Sequence, residues 1–283
     1  MNDCLSRILF PADIGVFLEH YRTRKHFHVA RNAPAWHAEA LGAERLDEYL
    51  QSEHLPAAFI KVVNTGTRIP PGEWSRVRSS PAGEYRAAIP ERLFDLYSNG
   101  ATLILDQADH AVPSLNAICR NLTLELGFRT HANVYITPRG AAGFSKHTDD
   151  HEVLVLQIAG NKRWLLYPEG APVVEIALQA GDSLYLPRGL AHSARTEESD
   201  SIHVTVGLRA VYAFQLVEEL ASLAAKDEGF HQPMPPLLAG DEARQLFESA
   251  VLGRLRDLIG QTRPGELAER RFQSLVENQP RGW

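Results

Sequence analysis

Asn133-Val134-Tyr135-Ile136-Thr137, Val153-Leu154-Val155-Leu156-Gln157, Lys162-Arg163-Trp164-Leu165-Leu166 and Ile202-His203-Val204-Thr205-Val206-Gly207-Leu208 share a period of two and are rich in β-branched and aromatic residues. Working outward from them, strands are expected at 131–137, 152–159, 162–167, 173–178, 182–187 and 201–210, separated by Gly, Pro or charged turns. Short strands this closely spaced predict an antiparallel sandwich or barrel, with jelly-roll and cupin folds among the options.

The turns between these strands carry chemistry. His147-Thr148-Asp149 places an imidazole and a carboxylate at i and i+2, which point the same way in extended backbone. A third ligand must come from another strand. His192 follows the strand at 182–187 and the turn Pro187-Arg188-Gly189. Two imidazoles and one carboxylate without a thiolate form the facial triad that suits Fe(II), and Mn, Co, Ni or Zn accept the same donors. Zinc hydrolases also use mixed His and carboxylate sets. That class stays open at this point, with Asp150 and Glu152 as the neighbouring carboxylates.

Elsewhere the pattern is mixed. Asp13 is placed to cap a helix through Val16, Phe17 and Tyr21, Phe27–Ala30 reads as an edge strand, and Glu44–Leu50 as helix. Asn64 to Ile89, broken by Gly66, Pro70, Pro71, Gly72, Pro81 and Gly83, reads as a long loop, a wall or lid for a site. Pro90 opens a helix that stops at Ser98-Asn99-Gly100, and a second runs from Ser114 to Leu126. Beyond Tyr212 helical spacing returns. The expected organisation is a catalytic part over 1–210, with a helical and mixed stretch 1–130 ahead of the barrel core 131–210, then a C-terminal helical region over 211–283.

Hydrophobic residues make up 44% and charged residues 23%, enough to bury a real core. The net charge of −6 gives no global attraction for nucleic acid or anionic membrane. No run approaches the length a membrane helix needs. Cys4 and Cys119 are too few for a disulfide framework, so a reducing cytoplasm is expected.

A resemblance sharpens this reading. Asn133–Pro138, Gly143–Asp150, Val155–Trp164, Gly181–Gly189 before His192, and Ser201–Thr205 after it are similar to the JmjC-type ribosomal oxygenases of the cupin superfamily. The N-terminal segment and Asn99–Leu103 are similar too, so the likeness runs over residues 8–210. It implies a double-stranded β-helix with flanking helices and hydroxylation dependent on Fe(II), 2-oxoglutarate and O2. His147, Asp149 and His192 match the iron ligands. Lys162 matches the base that pairs with the far carboxylate of 2-oxoglutarate, and a lysine suits such end-on pairing. Asn133 and Tyr135, on one face of a strand, match polar residues of the co-substrate pocket. His151 and His203 are read as local structure.

The likeness departs at Gly207, where those oxygenases carry a serine. A glycine removes a hydrogen-bonding group from the pocket rim and is expected to leave room. The region 211–283 is also shorter than the helical dimerisation region and winged-helix module of that family together. The expected activity is hydroxylation of an amino-acid side chain in a peptide or protein. The alternatives are a tailoring hydroxylase of a free or carrier-bound amino acid or small natural product, and a non-catalytic metal-binding cupin. The C-terminal helices offer apolar faces (Leu216, Val217, Leu220; Leu246, Phe247, Val251) for a homodimer.

Overall fold

A computed structural model describes residues 3–31, 33–41, 43–263 and 265–277 of the chain. The chain divides into two compact units, one up to Ala210 and one from Val211.

The first unit begins with helices α1 (Cys4–Leu9) and α2 (Ile14–Thr23), the latter capped by Asp13, whose Oδ1 accepts from Val16 N at 3.0 Å. Strand β1 (Phe27–Val29), helix α3 (Ala43–Gln51) and strands β2 (Ile60–Asn64) and β3 (Thr67–Ile69) follow. A hairpin of β4 (Ser75–Ser80) and β5 (Gly83–Ala88) comes next. The expected loop over 64–89 is therefore mostly paired strand. The turn at Thr65-Gly66 takes positive φ at both residues, the geometry of a tight hairpin, so glycine there marks a reversal between strands rather than an irregular segment.

Helix α4 (Pro90–Ser98), strand β6 (Thr102–Leu105) and helix α5 (Pro113–Leu126) lead to the barrel strands. These are β7 (Arg129–Thr137), β8 (Glu152–Ala159), β9 (Asn161–Tyr167), β10 (Val174–Gln179), β11 (Ser183–Leu186), β12 (Ala191–Arg195) and β13 (Ser201–Arg209). Six match the period-two segments. The seventh, β12, escaped because Ala-His-Ser-Ala-Arg has no β-branched or aromatic residue. His192 consequently lies within a strand and not merely after one.

The strands form an eight-stranded sheet in the order β1-β11-β8-β13-β7-β6-β2-β3 and a three-stranded sheet β10-β9-β12, all pairings antiparallel. Alternation divides the large sheet. Leu154, Leu156, Val134, Val204 and Val206 join one core with Leu5, Leu9, Phe17, Leu115 and Leu122 of the helices. Val153, Val155, Leu184 and Leu186 on the opposite face pack against Trp164, Leu166, Ile176 and Leu178 of the small sheet. This is a mainly β, cupin-type double-stranded β-helix with flanking helices.

The inward face of the large sheet is built in rows. Register places His131 beside Gly207 and Val153, Asn133 beside Thr205 and Val155, and Tyr135 beside His203 and Gln157. Polar residues thus line up at successive inward positions of β7 and β13, while the intervening residues are apolar and face the helices.

The second unit comprises α6 (Ala213–Ala224), α7 (Gly240–Gln261) and α8 (Glu266–Glu277), with α6 packed on both others. Glu219 pairs with Arg271 at 3.4 Å across α6 and α8.

Candidate active site

The loop carrying His147 is stitched to β12 by two backbone bonds. His147 N donates to His192 O at 3.0 Å, and His192 N donates to His147 O at 2.9 Å. This bridge sets the two imidazoles side by side, with ring centroids 4.5 Å apart. Asp149, two residues on from His147, is fixed through its carbonyl, which accepts from Gly189 N at 3.0 Å.

Its carboxylate then lies 4.0 Å from His147 Nε2 and 3.5 Å from His192 Nε2. One donor atom from each of the three residues falls within 4.8 Å of the others, and this is the one such group of three among the described residues.

Both rings are oriented by the main chain. His147 Nδ1 lies 2.9 Å from Ser145 O, and His192 Nδ1 lies 2.9 Å from Leu190 O. A carbonyl can only accept, so each Nδ1 carries the hydrogen and each Nε2 presents a lone pair toward Asp149. Burial, first, and then the neighbouring His147 lower the pKa of His192, which favours the neutral form a metal requires. The donor set of two neutral imidazoles and a carboxylate fits a divalent first-row metal with open positions.

Beside the triad is a small cavity whose walls include Asn133, Tyr135, Lys162, Trp164, His203 and Thr205. Lys162 is 2% exposed, and its Nζ donates to Thr137 Oγ1 at 2.8 Å. Among the described residues no carboxylate opposes it there, and burial pulls its pKa down to about 7. A buried cation with a single neutral partner is costly unless an anion joins it. Tyr135 is pushed up to about 12, first by burial and then by the Asp149 charge, so its hydroxyl stays protonated. Asn133 Oδ1 accepts from Gln107 N at 2.9 Å, which turns the amide into the wall. Arg163, the neighbour of Lys162, faces outward to Glu175 and Glu197. All six residues singled out in the sequence are therefore brought together.

Two features differ from expectation, and one open alternative loses support. His151 and His203 line the cavity. His203, two residues from Thr205 on β13, was legible as an inward position, but a histidine in a strand has no signature separating core from cavity; His151 stands just ahead of β8, outside the expected strand. Gly207 leaves no room, because a Cβ there would lie 2.2 Å from His131 Cε1 and 2.7 Å from His151 Nε2. The space of the missing side chain is already filled by two imidazoles, 5.1 Å apart between centroids. The two carboxylates available to a hydrolase are engaged elsewhere. Glu152 Oε2 accepts from Tyr185 OH at 2.6 Å and Arg188 N at 2.9 Å, while Asp150 pairs with His151 and Arg209. Asp149 is the one carboxylate lining the cavity among the described residues.

The sequence profile of the JmjC domain matches residues 110–172 and 167–216, a span holding every wall residue named above. Residues 110–216 of the chain match the JmjC domain. Among curated JmjC relatives, the bifunctional lysine-specific demethylase and histidyl-hydroxylase NO66 of Drosophila melanogaster is 30% identical over 244 residues, covering 78% of this chain and 36% of that protein. The protein of the same name in Dictyostelium discoideum is 28% identical over 223 residues, covering 71% of this chain and 42% of its own length. The chain thus spans well under half of these relatives. The fold also matches YcfD, a ribosomal oxygenase from Escherichia coli solved with cobalt and 2-oxoglutarate. The TM-score is 0.60 at 16% identity, over 94% of this chain and 71% of YcfD. With cobalt and succinic acid the same protein matches at a TM-score of 0.58 and 17% identity.

Proposed function

We propose that this protein is an Fe(II)- and 2-oxoglutarate-dependent oxygenase that hydroxylates an amino-acid side chain of a peptide or protein. The observation that carries this reading is the pairing of a two-His, one-carboxylate cluster with a buried lysine that has no anionic partner, both on the wall of one cavity. When bound, Fe(II) with 2-oxoglutarate and O2 supplies oxidative insertion of oxygen into a C–H bond, with release of succinate and CO2. Residues of the chain bind, orient and enclose. His147, Asp149 and His192 would hold the metal by one face. Lys162 would neutralise the far carboxylate of 2-oxoglutarate, and Asn133 and Tyr135 would present polar atoms to the rest of it.

The reading needs no nucleophile or general base, and the absence of a spare carboxylate on the cavity wall among the described residues favours it over metal-assisted hydrolysis. A protein target is favoured by the relatives, whose names include histidyl-hydroxylase and ribosomal oxygenase. No helix of the described residues is long and apolar enough to cross a membrane, and both cysteines are free, consistent with work in the cytoplasm.

The test is iron-dependent conversion of 2-oxoglutarate to succinate by the purified chain, with mass spectrometry of candidate peptides. His192→Ala removes one donor and is expected to abolish turnover and lower metal content together. Turnover at the wild-type rate in that variant rejects the triad.

A further inference from the structure

Lys162, His203 and Trp164 line the same cavity, and each brings a hydrogen-bond donor to it or beside it. Lys162 Nζ has three hydrogens, and the bond it makes goes to Thr137 Oγ1. His203 is 2% exposed, yet its Nδ1 has no hydrogen-bond partner, and the indole Nε1 of Trp164 has none either. Buried polar atoms left unpaired are rare in folded proteins and mark an absent partner. An indole nitrogen can only donate, and an ammonium can only donate. The missing partner is therefore an acceptor, and the lysine makes an anion the best one.

The His203 ring is held in place. It stacks on Tyr135 with centroids 4.6 Å apart and planes 11° from parallel, and it meets Trp164 edge-on at 5.6 Å. It therefore faces the cavity as a fixed group rather than a mobile one. Burial and the Lys162 charge both lower its pKa, so the ring is neutral with one N–H to give.

We propose that His203 is a second reader of the co-substrate's far carboxylate, one oxygen going to Lys162 Nζ and the other to the His203 imidazole. This rests on the 2-oxoglutarate reading above. A lysine satisfies one carboxylate oxygen end-on and leaves the second without a donor. Register places His203 and Tyr135 in one row, with the Thr137 that holds Lys162 in the next inward position of β7. His203 thus tunes selectivity for a keto acid with two carboxylates over one with a single carboxylate.

The test is calorimetric titration of the Mn(II)-loaded chain with 2-oxoglutarate and, separately, with 2-oxopentanoate, which has the same carbon chain without the far carboxylate. His203→Phe keeps a ring between Tyr135 and Trp164 and removes both nitrogens. The 2-oxoglutarate Kd is expected to rise ~10-fold, in line with loss of a hydrogen bond to a charged group. The 2-oxopentanoate Kd is expected to stay within about two-fold, well below the cost of such a bond. His203→Asn, which restores an N–H donor, is expected to recover part of the preference. If the Phe variant does not fold, His203→Leu takes its place in the same two titrations.

An unchanged 2-oxoglutarate Kd, or equal weakening for both acids, overturns the assignment. Equal weakening is the outcome if His203 only packs beside Gln157 across the β8–β13 pair. A wild-type chain with no preference between the acids overturns the co-substrate reading itself, a failure distinguishable from that of His203 alone.

Discussion

Lys162 has a thermodynamic signature of its own. Its pKa falls from 10.5 to about 7 in the fold because burial disfavours the ammonium form. Between those values the unfolded chain binds more protons than the folded one, so stability rises with pH across that window. At and below the folded pKa the cost of burying the cation is fully present. The ligand-free protein is expected to gain melting temperature as pH rises through the window, and Lys162→Met to lack that gain. The variant is also expected to be the more stable of the two at the acidic end. Thermal unfolding of both proteins across pH checks this, and parallel pH profiles for the two contradict it. Reading Lys162 from sequence was possible because strand alternation separates it from Arg163. That its charge has no partner except Thr137 was not, since the partner lies on another strand.

At the scale of elements, strand register turns scattered polar residues into a wall. His131, Asn133, Tyr135 and Thr137 of β7 stand opposite Gly207, Thr205, His203 and Ser201 of β13. The glycine of this set is needed where it stands, because the His131 ring occupies the position of its side chain. Gly207→Ala is expected to destabilise the chain by ~1–3 kcal/mol, the usual range for overpacking. His131→Ala in the same chain is expected to return part of that loss, the mark of two coupled sites. Denaturant unfolding of the single and double variants measures both, and a purely additive result denies the steric link. The sequence showed a glycine at a strand end and suggested extra room. The opposite holds because the filling side chain lies far away in sequence and adjacent in register. Strand β12 was hidden for a related reason. Its five residues have weak strand preference and are held by pairing to β9 and by the His147–His192 bridge.

At the scale of the molecule, the two units differ in how they bury surface. The first has two continuous apolar clusters, one on each face of the large sheet. In the second no described residue is fully buried. Leu216, Leu220, Phe247 and Val251 are half-buried, whereas Phe214, Val217, Leu246, Leu252 and Ile259 stay exposed. Helices with so much exposed apolar surface fit association with a second copy, the homodimer proposed from their sequence. Light scattering is expected to give twice the chain mass, and Val217→Glu with Leu246→Glu to return it to the monomer. A wild-type mass of one chain at micromolar concentration dismisses the dimer.

Local pattern by itself determined six of the seven barrel strands, the His-x-Asp pair and the lysine on the inward side of its strand. Those features depend on periods of two within a few residues, which a linear text displays directly. Tertiary structure alone decided that His192 reaches the other two ligands, that His203 faces the cavity, and that His131 fills the space over Gly207. Each depends on which strands lie side by side, and that is set by burying two apolar faces at once rather than by any stretch of the chain.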